Sequence, residues 1–458
     1  MTTSNPAPAS SAPRDSGESK LKRQLGLFDA TMVVMGGIVG SGIFINPYVV
    51  AQRVHTAALI IGAWVAGGVL ALLGAFVYAE LADRMPAVGG QYAYLSAAYH
   101  PALGFLYGWV LLLVIQTGGM AAVIVTFARY FLELTHTHAS EPLVGILALA
   151  VLTVINCAGV KAGSGVQSAL MVTKIAAIFG LIWIGFQFIH SPFAIGRPLL
   201  DREPNLPGAF GAAMIPVLFA YGGWQTANFL AGEIKEPRKN LSRALLIGVA
   251  GVVALYVGVN VICVRALGPV GLAETRAPAT AVMRLALGQT GAKWIAIAIT
   301  ISTLGFLSQS ILTAPRVYFA MAEGGVFFPA VAYVSPRTSV PIVAIVLQSI
   351  WTAVIALSGR YEQILNYVVA MDFLFFGLTA TCLFVFRRRE RELGATERAG
   401  YRVPGHPVTT LIFITVSWLV VINTIYQYPS NSLIGMAILL LGLPAYWLWQ
   451  QTQKAERA

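Results

Sequence analysis

A glycine cluster interrupts the first long hydrophobic stretch of the chain. The stretch extends from Leu27 to Val50, and Gly40-Ser41-Gly42 lies at its centre. Each glycine weakens a helix by ~1 kcal/mol relative to alanine. Backbone groups that are freed at membrane depth are costly unless protein or water satisfies them. The cluster therefore predicts a broken helix that lines a cavity within a membrane.

A second interruption of the same kind lies near the middle of the chain, where Tyr221-Gly222-Gly223 divides the apolar segment 209–232. Paired interruptions at corresponding positions in two halves of a membrane protein are the best sequence indication of a transporter's binding site. We therefore expect both breaks to face one binding site.

The composition places the chain among polytopic membrane proteins. Of its 458 residues, 57% are hydrophobic and only 11% are charged, whereas soluble domains carry roughly 25% charged residues. We interpret the net charge of +11 as loop charge that sets membrane orientation, and we expect no nucleic-acid partner. The three cysteines and six histidines are not spaced as metal ligands, so we expect no metal site and no cofactor.

Hydrophobicity predicts an all-α protein with twelve transmembrane helices, at ~20 residues per span. The predicted spans are 27–52, 57–81, 102–132, 142–159, 165–189, 208–232, 241–266, 292–320, 341–357, 363–386, 408–427 and 432–450.

Helices 1 and 6 are the broken ones, which predicts a five-plus-five inverted repeat at 25–190 and 206–388, because an odd number of spans reverses the orientation of the second repeat. Two C-terminal helices then occupy 407–450. Residues 1–24 form a disordered tail and residues 451–458 a second tail. Most Lys and Arg residues lie on the side of both tails, so both termini are expected to be cytoplasmic, in a bacterial inner (plasma) membrane and in contact with lipid.

A broken helix offers two kinds of backbone group to a ligand. Free amides at the start of a half-helix bind anions, and free carbonyls at the end of the other half bind cations. A zwitterionic amino acid carries both charges. The amides of Ser41, Gly42 and Ile43 are candidates for its carboxylate. The carbonyls of Ile38, Val39, Phe219 and Ala220 are candidates for its ammonium. Helix packing through Gly36 and Gly40 is the alternative.

Four segments in this order resemble the amino acid–polyamine–organocation (APC) superfamily, and most closely its L-type amino acid transporter branch. They are Gly36-Gly37-Ile38-Val39-Gly40-Ser41-Gly42-Ile43-Phe44, Tyr78-Ala79-Glu80-Leu81, Leu218-Phe219-Ala220-Tyr221-Gly222-Gly223-Trp224-Gln225, and Glu233-Ile234-Lys235-Glu236-Pro237-Arg238-Lys239-Asn240-Leu241.

The resemblance implies alternating access and substrate contacts at the two breaks. The implied contacts are Ile38, Ser41, Gly42, Phe219, Ala220 and Gly222. Phe219 would be an aromatic gate above the substrate. Trp224 would belong to the gate as well and, with Gln225, would shape the side-chain pocket. Plain core packing is the alternative for Phe219, and an interfacial or packing position is the alternative for Trp224.

Lys174 is a charge inside the fifth span, where lysine is costly and usually functional. The resemblance implies that its ammonium replaces a sodium ion beside Gly36–Ile38 and the hydroxyls of Ser302 and Thr303. A lysine that extends to the membrane surface is the alternative.

Asp372 is a second ionisable group within a span, and it belongs to no motif of the family. It could respond to protons, select a cationic substrate, or cap a neighbouring helix. Glu80 and Glu233 lie at predicted inner helix ends. They could form inner-gate ion pairs with Arg84, Lys235, Arg238 and Arg316, or remain solvated.

The sequence contains no P-loop and no HExxH motif, and we expect no enzyme. The predicted function is sodium-independent transport of neutral L-amino acids, as an exchanger or a proton-coupled permease. A cationic amino acid or polyamine antiporter, and a non-transporting receptor or channel, are the alternatives. The loop 135–141 lacks the cysteine by which eukaryotic members of the branch bind a single-span partner, so no disulfide-linked heavy chain is expected.

Overall fold

The computed structural model describes residues 21–189, 205–358, 361–394 and 400–457, and these residues form a helical bundle. The helices of the first part are α1 Leu27–Ile38, α2 Gly42–Ala51, α3 Ala57–Arg84, α4 Gln91–Ala98, α5 Pro101–Val110, α6 Gln116–Thr135, α7 Glu141–Cys157 and α8 Val160–Phe188. The helices of the second part are α9 Leu206–Tyr221, α10 Pro237–Glu274, α11 Pro278–Thr313, α12 Pro315–Glu323, α13 Ile342–Leu357, α14 Tyr361–Glu392, α15 Val408–Gln427 and α16 Pro429–Arg457.

The lengths and compositions of these helices are those of a polytopic membrane protein. Within the described ranges, ten helical segments are long and apolar enough to cross a bilayer. Two further apolar helices, α7 and α13, are shorter. The predicted all-α membrane architecture is confirmed.

Both predicted breaks are present. Helix α1 ends at Ile38, Val39 is extended, and α2 begins at Gly42. Helix α9 ends at Tyr221, and a 3₁₀ segment, Trp224–Leu230, follows after two glycines. The chain can leave α9 in this way because Gly223 has φ +99°, a conformation that side chains with a Cβ rarely adopt.

The two breaks lie against each other at Gly37 and Gly223. A Cβ on Gly223 would overlap the carbonyl of Gly37, and a Cβ on Gly37 would overlap the carbonyl of Gly223. Only glycine allows the two backbones to approach this closely. The two breaks therefore pack together as one structural unit.

The chain start packs against the segment that follows the second break. The amides of Gln24 and Leu25 both donate to the carbonyl of Glu233, and the amide of Lys235 donates to the carbonyl of Leu25. Leu21 is buried. The prediction of a disordered tail at 1–24 is therefore wrong for residues 21–24, because these backbone bonds order them. Residues 1–20 lie outside the described residues. We call this side of the bundle the amino-terminal face.

Buried ion pairs cross the amino-terminal face. Arg316 donates two hydrogen bonds to the carboxylate of Glu233, each 3.1 Å long, and both side chains are fully buried. Glu80 accepts from Arg84, from Arg387 and from the amide of Val403. The paired alternative for both glutamates is thus confirmed.

Several helices extend beyond the predicted spans. Helices α10 and α11 continue through kinks at Gly268 and Gly288, which have positive φ. Helix α14 extends past residue 388, and α16 continues to Arg457, where a tail was predicted from 451. The residues at the end of α16 are Gln, Lys, Ala, Glu and Arg, which are good helix formers.

Gly223→Ala is expected to lower the yield of folded protein and its melting temperature. A non-glycine residue in this conformation costs ~1–3 kcal/mol, to which the overlap with Gly37 adds. Gly165→Ala is the matched control, because nothing lies within 4 Å of a Cβ at that position. Thermal unfolding in detergent measures both variants. Equal melting temperatures would contradict the proposed contact between the breaks.

Candidate substrate site

A cavity of about 320 Å³ lies where the two breaks meet. Its wall is built from α1, α2, α6, α9, the 3₁₀ segment, α11 and α14. Among its lining residues are Ile38, Ser41, Gly42, Phe219, Ala220, Gly222 and Gln225. The structure therefore brings together seven of the eight predicted substrate-binding residues, from two distant parts of the sequence.

The start of α2 lies at this cavity. Ser41 and Gly42 line it. The first amides of a helix have no intrahelical partner and lie at the positive end of its dipole. A Cβ on Gly42 would lie 3.3 Å from the Cβ of Ala220, so the two breaks leave little spare room there. The side chain of Ile43, the eighth predicted residue, is buried away from the cavity, and only its backbone remains a candidate.

The carbonyl groups that are freed where α1 ends already accept hydrogen bonds. The hydroxyl of Tyr256 donates to Ile38 at 3.0 Å, and the ammonium of Lys174 donates to Val39 at 2.6 Å. Val39 is thus the acceptor for Lys174, which departs from its predicted role as a substrate contact. The carbonyl of Phe219 accepts from the amide of Gly222 at 3.2 Å. Each carbonyl oxygen has a second lone pair that a ligand can use.

Lys174 is held inside the bundle and does not extend to the membrane surface. Its side chain is 1% exposed and lies against Gly305, where a Cβ would overlap it. It contacts the break at Val39, one residue beyond the predicted Gly36–Ile38. Ser302 donates to Gly40 at 3.3 Å, whereas Thr303 donates within its own helix to Thr300.

Phe219 and Trp224 differ in their surroundings. The ring of Phe219 is 39% exposed and lines the cavity, which does not fit plain core packing. Trp224 is 2% exposed and stacks on Phe376, with ring centroids 5.3 Å apart. Because Phe376 lines the cavity, Trp224 supports the wall from behind.

Two acceptor groups on the cavity wall have no partner in the described part of the chain. The Oε1 atom of Gln225 is buried without a hydrogen bond. Asp372 lies beside Phe373 on the wall, and no described residue forms a hydrogen bond or ion pair with it. Nothing in the described residues supports helix capping by Asp372.

The sequence reasoning missed part of the wall. Polar residues on α2, α6 and α11 and the ring of Phe306 also line the cavity. The polar ones are Asn46, Gln116, Thr126, Arg129 and Gln309. Gln116 and Gln309 lie inside apolar helices, where a polar side chain in the sequence indicates a functional position.

The cavity extends away from the amino-terminal face. It reaches Arg129 near the end of α6, whose side chain is 57% exposed and pairs with Glu141 at 3.1 Å. The buried Glu233–Arg316 pair of the amino-terminal face does not line the cavity. The cavity therefore reaches an exposed residue near the end of α6 and does not reach that pair.

Comparison with known proteins agrees with this architecture. The amino acid permease family model matches residues 25–443. The large neutral amino acids transporter small subunit 2 of Mus musculus is 29% identical, over 98% of this chain and 86% of its own length. The serine/threonine exchanger SteT of Bacillus subtilis is 31% identical, over 94% and 97%. The Asc-type amino acid transporter 1 of Mus musculus is 30% identical, over 95% and 83%.

The match extends through both breaks, Lys174 and Asp372. The resemblance to the APC superfamily drawn from short motifs is confirmed over nearly the whole chain. The chain belongs to the amino acid permease family, whose members are transporters and not enzymes.

Proposed function

We propose that this protein transports neutral L-amino acids across the plasma membrane by alternating access, without sodium. The observation that carries the proposal is the meeting of two broken helices around one cavity, with Lys174 bonded to the break. The names of its relatives, which refer to large neutral amino acids and to serine and threonine, agree with a neutral substrate.

The proposed topology has twelve spans, with α7 and α13 as the two short ones. The breaks at 39–41 and 222–223 fall in the first span of each of two five-span units, which supports an inverted repeat at 25–190 and 206–388. Two further helices, α15 and α16, follow. The charge distribution supports cytoplasmic termini, so the cavity would open to the outside.

The free backbone groups at the two breaks bind both charges of a zwitterionic substrate. The amides of Ser41, Gly42 and Ile43 bind its carboxylate, and the carbonyls of Ile38, Phe219 and Ala220 bind its ammonium. Its side chain then faces Gln225, Phe376 and Asp372. In this arrangement the backbone recognises the part common to all amino acids, and the side chains of the wall select among them.

Lys174 replaces a sodium ion in this proposal. A sodium ion at such a break would be bound by oxygens, and an ammonium at 2.6 Å from the carbonyl of Val39 satisfies the same oxygen with a fixed charge. Ser302 holds the adjacent carbonyl of Gly40. Thr303 supports α11 rather than the ammonium. We also propose that the protein works without a disulfide-linked heavy chain, because the loop 135–141 contains no cysteine.

Counterflow in proteoliposomes tests the function. Vesicles loaded with one neutral L-amino acid are expected to take up labelled leucine or threonine saturably, at equal rates in sodium and in choline. Excess lysine or putrescine is not expected to compete. Strong stimulation of transport by sodium would contradict the proposal that Lys174 replaces a sodium ion. Preference for lysine or putrescine would favour the cationic antiporter, and unsaturable flux would favour a channel.

Lys174→Ala is expected to lower counterflow by roughly 10- to 100-fold, because a hydrogen bond from a charged group contributes ~1.5–3 kcal/mol. Lys161→Ala, at an exposed lysine on the same helix, is the control and should transport at the wild-type rate. Rates are compared at equal amounts of monodisperse protein. If Lys174→Ala retains the wild-type rate, Lys174 has no role in transport.

Phe219→Ala is expected to lose most transport while it still binds substrate, with affinity weakened by ~1–3 kcal/mol for the lost apolar contact. The backbone contacts remain, but the ring no longer covers the substrate. Phe219→Trp should retain partial transport. Phe179→Ala, at an exposed ring on α8 that does not line the cavity, is the control. Normal transport by Phe219→Ala would show that the ring is no gate.

A further inference from the structure

Asp372 is the charged group that the proposed function leaves unused. It lies on the cavity wall, one helical turn before Phe376 and next to Phe373, with Val368 and Val369 on the same wall. Most of the wall around it is apolar or aromatic, and no described residue donates a hydrogen bond to it. The proposal below rests on the proposed neutral substrate.

No cation in the described part of the chain neutralises Asp372. Tyr78 and Tyr107 are the titratable groups near enough to interact with it electrostatically, and both are phenols. Arg129 of α6 lines the same cavity but pairs with Glu141. Lys174 is directed to Val39. Other titratable groups on the elements around α14 form no ion pair or hydrogen bond with Asp372; they are Glu80, Asp83, Arg84, Tyr92, Tyr94, Tyr130, Glu133, Tyr221, Tyr426 and Tyr446.

Water and substrate affect this carboxylate differently. The cavity has room for water, and water hydrates an ionised carboxylate that lines such a cavity. A neutral amino acid that fills the cavity displaces that water and brings no net charge in exchange. An ionised carboxyl group without hydration or a counter-ion is strongly disfavoured, and it takes up a proton instead. Binding of the substrate and protonation of Asp372 therefore favour each other.

We propose that Asp372 is a proton site, and that the protein binds one proton at this carboxyl group together with each neutral amino acid. The proton comes from the solution on the open side and joins a carboxylate oxygen, so the filled cavity carries no net charge from Asp372. Release of both on the other side moves one positive charge per amino acid. Of the two mechanisms expected from the sequence, an exchanger and a proton-coupled permease, a proton site at Asp372 favours the proton-coupled permease.

The sign of the pH dependence follows from this coupling. Because substrate binding takes up a proton, the affinity for the substrate is highest at low pH, where Asp372 is already protonated. It falls by up to about tenfold per pH unit once the empty site is ionised. An inwardly directed proton gradient should then drive accumulation of the substrate.

The first measurement uses the wild-type protein, so it does not depend on a variant that folds. Calorimetric titration with L-leucine, or with L-threonine if counterflow excludes leucine, is carried out in two buffers of different ionisation enthalpy. The difference in heat gives the number of protons taken up, which is expected to approach one per substrate near neutral pH. No proton uptake, with normal counterflow, would overturn the proposal and leave the proposed function intact.

The second measurement assigns the proton to Asp372. The dissociation constant is determined from about pH 5 to about pH 8 for wild type, Asp372→Asn and Glu133→Gln. Asp372→Asn resembles the protonated group and should bind with a pH-independent affinity, and it should not accumulate substrate in response to a proton gradient. Glu133→Gln, at an exposed carboxyl group on α6, should keep the wild-type pH profile.

Three results would overturn the assignment. One is a full pH dependence in Asp372→Asn, which would place the proton elsewhere. Another is a preference of the wild type for lysine over leucine that Asp372→Asn reverses, which would make Asp372 the counter-ion of a cationic substrate. The third is a lack of counterflow with any neutral amino acid, which would overturn the proposed function and this inference together.

Discussion

The structure depends on the contact between Gly37 and Gly223, where two interrupted helices meet with no side chain between them. Backbone approach at this distance requires glycine on both sides. It brings the end of α1, the start of α2 and the end of α9 to one place inside the bundle. The freed backbone groups of all three would be costly in lipid, so they must be satisfied by the protein, by water or by a ligand. The cavity follows from this requirement.

The protein itself satisfies three carbonyl groups of the first break. Tyr256, Lys174 and Ser302 donate to three consecutive carbonyls of the first break, at Ile38, Val39 and Gly40. These three donors fix the position of the break from α10, α8 and α11. Ser41 and Gly42, at the start of α2, line the cavity. In the proposed mode of binding, their amides form the open side of a site whose carbonyl side is already held in place.

In the alternating-access cycle that we propose, the interactions that close the amino-terminal face must be reversible. A buried pair such as Glu233–Arg316 gains little net stability, because desolvation offsets much of the attraction. In the proposed cycle, such a pair can therefore separate into water at modest cost. Gln24 and Leu25 hydrogen bond to the segment that carries Glu233, so the chain start is bound to the same part of the bundle. The cavity reaches Arg129, whose ion pair with Glu141 is far more exposed than the Glu233–Arg316 pair.

Sequence alone determined the features that depend on local chemistry. Glycines within apolar stretches predicted both breaks, hydrophobic runs predicted the helices, and a lysine inside a span predicted a buried functional charge. The tertiary structure decided which groups meet. The carbonyl of Val39, rather than Gly36–Ile38, accepts from Lys174, and Trp224 lies behind Phe376. Residues 21–24 are ordered, and Asp372 lines a cavity without a partner among the described residues. These features depend on the packing of helices far apart in sequence, which hydrophobic periodicity and glycine spacing do not encode.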